Sequence, residues 1–243
     1  MGKKILSILG LGIVLIGIVF GGNLVLILVG AILLGLGQVS KENGNNSKNK
    51  QVFHEFFDDV NIDSVSHLLD VSDTNIPLPK HDYCSGSGYV QGKYKGLDVE
   101  FCTIKLIDVT EVLRDETGLW EKNENIVYTG EWMLCNLDCK FSTWLTIYPH
   151  SLLDKQTIKT GNEAFDKKFN LSCGDQEEAL KILDSSCLEK IITLTNGPPF
   201  RKFALNLNMD GKLYIAAHSG HGFENASRDE LKWFMDWIDV FKL

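Results

Sequence analysis

The sequence predicts an α+β fold: a largely antiparallel sheet of hairpins with two short helices and a C-terminal helix, preceded by an N-terminal transmembrane helical hairpin. Three observations point there. Residues 5–39 carry no charge, which marks a membrane-embedded segment. Apolar and polar side chains alternate on either side of Lys95-Gly96 and of Asp210-Gly211, as strands joined by tight turns do. Capping-box patterns at Asp175/Glu178, Ser186/Glu189 and Ser227/Glu230 each open a stretch of helical period.

The apolar run comes first. One helix through all of it would be about 50 Å long, against a hydrocarbon core of about 30 Å. Divided at Gly21-Gly22-Asn23, it becomes Ile5–Phe20 and Leu24–Val39, two slightly short spans joined by turn-forming residues. A single tilted helix with a buried extension is the other reading. The run is far longer than the apolar core of a cleaved signal peptide. Lys3 and Lys4 precede it, and Lys41, Lys48 and Lys50 follow it. Lysines on both flanks place both ends in the cytoplasm under the positive-inside rule. The organisation expected is a membrane anchor at 1–40 with its turn at 21–23, a polar linker at 41–51 and a soluble α+β domain at 52–243.

Along that domain, the apolar positions of Phe53–Leu69 suit one or two short helices. Tyr89–Tyr94 and Leu97–Val109 form a hairpin around Lys95-Gly96. Residues 110–125 are polar and acidic and read as a loop. Ile126–Leu137 and Thr143–Tyr148 read as a second hairpin around Asp138–Ser142, and Phe169–Cys173 as a short strand. Helices open at Asp175 and Ser186, and Gly197 with Pro198-Pro199 ends the second. Phe203–Asn208 and Lys212–Ala217 pair as a hairpin, and Ser227 caps a terminal helix over Asp229–Phe241.

Charge excludes some functions. The net charge is −8, and every acidic residue falls after position 40. An acidic domain does not suit nucleic acid or a polybasic grip on anionic lipid. The six cysteines are scattered rather than clustered, which fits free thiols in a reducing compartment. Asn45, Asn170 and Asn225 begin N-x-S sequons, a pattern common by chance.

Motifs for chemistry are few. Asn206, Asn208 and Asp210 mimic the start of a calcium loop, but Ala217 stands where a bidentate Glu is needed. His54-Glu55 opens a zincin-like helix whose second His is replaced by Asp58. Gly86-Ser87-Gly88 precedes a strand, not the helix a phosphate loop requires. One constellation has ligand-like spacing: Cys135 and Cys139 with His218 and His221. In the terminal helix, Trp233, Trp237 and Val240 form a second row beside the core stripe of Leu231, Phe234, Met235, Ile238 and Phe241. Exposed, that row would be a partner or membrane-interface surface; buried, it makes the helix apolar on two sides.

The stretches SGYVQGKYKGLDVEF (87–101), YTGEWMLCNLDCKFSTWLTIYP (128–149), TGNEAFDKKFNLSC (160–173), EEALKIL (177–183) and GKLYIAA (211–217) occur in this order. Together they make the chain resemble the bacterial membrane-protein family catalogued as domain of unknown function 3137, over roughly residues 60–243. The resemblance implies N-terminal membrane helices, usually a pair, followed by a soluble domain. It implies no activity, and no catalytic residue is carried over. Within these stretches, Phe165-Asp166 and Phe169 read as the approach to a strand with buried aromatic anchors.

The expectation is a non-catalytic binding or interaction domain at the cytoplasmic membrane face, with an integral membrane anchor, no cofactor, no nucleic acid and an unidentified protein partner. The alternatives are a metal-dependent enzyme using the Cys/His set and an accessory subunit of a transport or envelope-assembly complex.

Overall fold

The computed structural model describes residues 52–62, 68–72, 74–113, 120–150, 158–197, 199–200, 202–219 and 226–242. The expected anchor and linker lie outside the described residues. Among the described residues, no helix is long and apolar enough to cross a membrane. Eight strands form one sheet: β1 (Asp58–Ile62), β2 (Tyr83–Tyr94), β3 (Leu97–Leu113), β4 (Trp120–Asn136), β5 (Leu145–Pro149), β6 (Phe169–Cys173), β7 (Phe203–Leu207) and β8 (Lys212–His218). Their order is β1-β2-β3-β4-β8-β7-β5-β6, and every neighbouring pair is antiparallel. Residues 52–56 are helical (α1), followed by α2 (Glu163–Lys168), α3 (Gln176–Ile182), α4 (Ser185–Leu194) and α5 (Arg228–Phe241). The α+β class with a large antiparallel sheet is as expected.

Turn chemistry fixes the hairpins. Lys95 (φ 51°) and Gly96 (φ 86°) are both left-handed, the conformation a two-residue hairpin turn demands. Gly211 (φ 89°) plays that part between β7 and β8. Expected and observed elements differ in five places. Of the one or two short helices expected in 53–69, one is present at 52–56; it ends at strand β1, because Asn61 and Ile62 pair with Gln91 and Val90 at the open edge of β2, and residues 63–67 lie outside the described residues. Residues 110–125 are not wholly loop: β3 and β4 continue through them as a paired ribbon. β4 and β5 are strands but not a hairpin, since β8 and β7 lie between them. Phe165-Asp166 belongs to a short helix, capped by the Asn162 side chain accepting from Ala164 N at 3.1 Å and Phe165 N at 3.2 Å. α4 is capped by Asp184, which accepts from Cys187 N at 2.7 Å, not by Ser186.

The pleat divides the strands between two faces. Odd-numbered residues of β3, β4 and β8, such as Phe101, Met133, Cys135 and Ile215, join a core covered by α1–α5. Even-numbered ones, such as Cys102, Ile104, Trp132, Tyr214 and Ala216, form a second cluster on the opposite face. There the irregular segment 68–80 lies on the sheet through Leu69 and Ile76. Each such burial stabilises by about 1.5–3 kcal/mol.

α5 opens with a complete capping box between Ser227 and Glu230. Trp233 and Trp237 are buried. Trp233 packs against Phe200, Phe203 and Phe234, with ring centroids 5.1–5.2 Å away, and Trp237 sits 5.4 Å from Phe203. The second row of α5 is therefore core at both tryptophans, with Val240 half-buried at its end.

Candidate functional site

Two features on this scaffold are not accounted for by the core. The first is a β-arm. β2 accompanies β3 only as far as Tyr83↔Ile107, and β8 accompanies β4 only from Gly130↔His218. Past those points, 108–113 and 120–125 continue as a two-stranded ribbon, from Asp108↔Asn125 to Leu113↔Trp120. Its root carries a register shift between Leu106 and Ile107, a bulge that bends a ribbon away from its sheet. There Asp82 Oδ2 accepts from Val109 N at 2.7 Å. Glu111 and Lys122, directly opposite, pair at 3.6 Å.

The arm is rich in exposed apolar surface. Among the described residues seven large hydrophobic side chains are exposed, and five lie on the arm or its root: Tyr83, Val112, Trp120, Ile126 and Val127. Trp120 is 67% exposed and Ile126 59%. Scattered single exposed residues need no explanation, but such a concentration does. Asp108, Glu111, Glu121 and Glu124 make the ribbon acidic, against Lys122.

The second feature is a cleft of about 480 Å³ beginning at the arm's root. Its floor is Ala204 and Ala216, small side chains that leave a depression, and its walls include Pro77, Pro79, Tyr128 and Tyr148. Gly130 makes room for one wall: the ring of Tyr128 occupies the space where a side chain on Gly130 would begin. That ring lies 5.5 Å from His218, and burial pushes the Tyr128 phenol above its ordinary range. His150, Lys202 and His218 line the rim, and among the described residues no lining residue is acidic.

The residues singled out from sequence fall elsewhere or apart. Cys135 lies in the helix-side core with Cys139 packed against it. His218 lines the cleft on the opposite face and is in register with Gly130, five residues from Cys135 along β4. The thickness of the sheet and about 17 Å of strand separate them. His221 lies outside the described residues. Among the described residues no group of three or more His, Cys, Asp or Glu could hold a metal ion. Glu55 pairs with Arg228 at 3.1 Å. Asp210 pairs with Lys212 at 3.1 Å, and Asn206 is buried, donating to Thr146 Oγ1 at 2.9 Å. Gly86, Ser87 and Gly88 (φ 65°) all lie within strand β2, so they are not a phosphate loop ahead of a helix. The Asn170 sequon is buried in β6.

The family model described as "Protein of unknown function (DUF3137)" matches residues 126–240, from the arm's root to the last turn of α5. The chain resembles this family. The match takes in four of the five stretches that carried the resemblance; residues 87–101 precede it. No curated protein matches the sequence. Among solved structures, the crystal structure of the mycobacterial trehalose monomycolate transport factor A is similar at 10% identity, over 81% of this chain and 94% of that one, with a TM-score of 0.45.

Sequence reasoning missed both features. The arm reads as loop because residues 121–125 are all polar, and its signal lies in the flanking Val109, Val112, Trp120 and Ile126. The cleft joins residues from five separate stretches of chain and has no contiguous signature.

Proposed function

We propose that the chain is a membrane-anchored binding protein with no catalytic chemistry of its own, engaging a protein partner through the β-arm at the cytoplasmic membrane face. The observation that carries this reading is the concentration of exposed apolar side chains on a ribbon that projects past its neighbouring strands. Its acidic residues specify the partner's chemistry: an apolar surface with a basic rim. The same charges repel anionic lipid headgroups, which favours a protein over the bilayer surface. Anchoring rests on the uncharged run at 5–39, and cytoplasmic placement on the lysines that flank it. Six free cysteines accord with a reducing compartment.

The test is Trp120→Ser combined with Ile126→Ser in the full chain. Native membrane complexes containing it should shrink or dissociate, while the unfolding free energy stays within about 0.5 kcal/mol of the parent, as for exposed positions generally. A complex of unchanged size would refute the arm's role. Thiol labelling of Cys84 and Cys139 in intact cells by an impermeant reagent should fail, and ready labelling would move the domain to the other side of the membrane.

A further inference from the structure

We infer that the cleft at the arm's root binds a small amphipathic anion: a carboxylate or phosphate group carried on an apolar body. The argument starts from register. β7 pairs with β5 as Leu205↔Ile147 and with β8 as Phe203↔Ala217. Continuing both registers brings Lys202 level with His150 on one side and His218 on the other. The backbone agrees, since His218 N donates to Lys202 O at 2.9 Å. Three basic residues thus form one row across the ends of three adjacent strands. With strands about 4.8 Å apart, the row is about 10 Å long. All three line the same cleft, on the face away from the helices. Lys202 gives this row a positive charge in a chain of net charge −8.

Below the row the lining turns apolar. Ala204 and Ala216 are buried and small, and Pro77 and Pro79 stand over them. A volume of about 480 Å³ falls within the range of small-molecule sites. An anion at the rim meets Lys202 and the imidazoles, and an apolar body attached to it covers the alanine floor. A neutral apolar molecule forgoes the rim, and a hydrophilic anion forgoes the floor. Carboxylate and phosphate satisfy the same geometry, so the class is defined by charge and body together.

The experiment is calorimetric titration of the full chain in lipid nanodiscs with 4-phenylbutyrate, phenyl phosphate and the neutral 4-phenyl-1-butanol. At least one anion should bind saturably, and the alcohol about tenfold more weakly or not at all. A preference for one anion identifies the headgroup, while equal binding assigns recognition to charge alone. Lys202→Glu, at an exposed position, should weaken the anion about tenfold or more, and Ala204→Phe should abolish binding by filling the floor. The arm variant Trp120→Ser should bind the anions as the parent does, so this site and the arm can fail separately. The inference is overturned if neither anion saturates, if the alcohol binds as well as the anions, or if Lys202→Glu leaves affinity unchanged.

Discussion

The cysteines show how the same side chain takes different roles by position. Burial pushes Cys102, Cys135 and Cys187 up from 9.0 to about 12. Cys84, Cys139 and Cys173 are raised too, chiefly by desolvation, but are only half-buried. A thiol raised in the fold favours folding fully below its unfolded value and loses that contribution as pH climbs to the folded one. Stability should therefore hold to about pH 9 and fall toward about 12. Urea unfolding at stepped pH should show this, with a smaller fall in Cys102→Ala than in the parent. A flat profile in both would contradict it. These thiols are packing groups, held toward the protonated form by burial. Their free state was legible from their spacing. That Cys135 and His218 lie on opposite faces was not, because it depends on the parity of two strands that meet only in the sheet.

Among the elements, the β7–β8 hairpin organises the most. Inserted between β4 and β5, it sends the 137–144 connection across its own turn, where Leu137 N donates to Gly211 O at 3.0 Å and Phe141 N to Met209 O at 3.0 Å. A polar loop between two strands is a fair local sign of a hairpin. The longer-range pairing wins because β8 gives β4 a ladder of seven registered pairs, from Gly130↔His218 to Asn136↔Lys212. Gly211 is the sensitive point: φ is +89°, and a Cβ there would land on the Cys139 carbonyl. Gly96 has a similar φ of +86° but opens into empty space. Gly211→Ala should then cost more than Gly96→Ala, which carries backbone strain alone, on the order of 1–3 kcal/mol. Denaturant midpoints of the two variants test the ranking, and equal losses would show that the crossing loop yields freely. The caps at Asp175 and Ser227 were legible because a cap is local in sequence. The arm was not, because its polar centre is a strand only by pairing across the ribbon.

At the scale of the whole domain, helices crowd one face of the sheet and the other is left for segment 68–80, the cleft and the arm's root. The C-terminal helix is tied to the β2–β3 turn by an ion pair. Lys95 Nζ, at the β2–β3 turn, donates to both Asp239 carboxylate oxygens at 2.7 Å, and Tyr94 Oη to Oδ2 at 3.2 Å. Lys95 is about half exposed, so Asp239→Asn should cost only about 0.2–1 kcal/mol. A double-mutant cycle with Lys95→Met measures that coupling, and a value well above this range would mean the pair is shielded from water. The sequence by itself determined the class, most strands, the caps at Asp175 and Ser227, the turns at Lys95-Gly96 and Asp210-Gly211, the buried stripe of α5 and the uncharged run at 5–39. Each of these is written in periods and dipeptides within a few residues of itself. Only the tertiary structure decided the order of the strands, which face each residue takes, and the row of His150, Lys202 and His218. Those follow from pairing between segments dozens of residues apart, where burial of a shared core outweighs what any single stretch prefers.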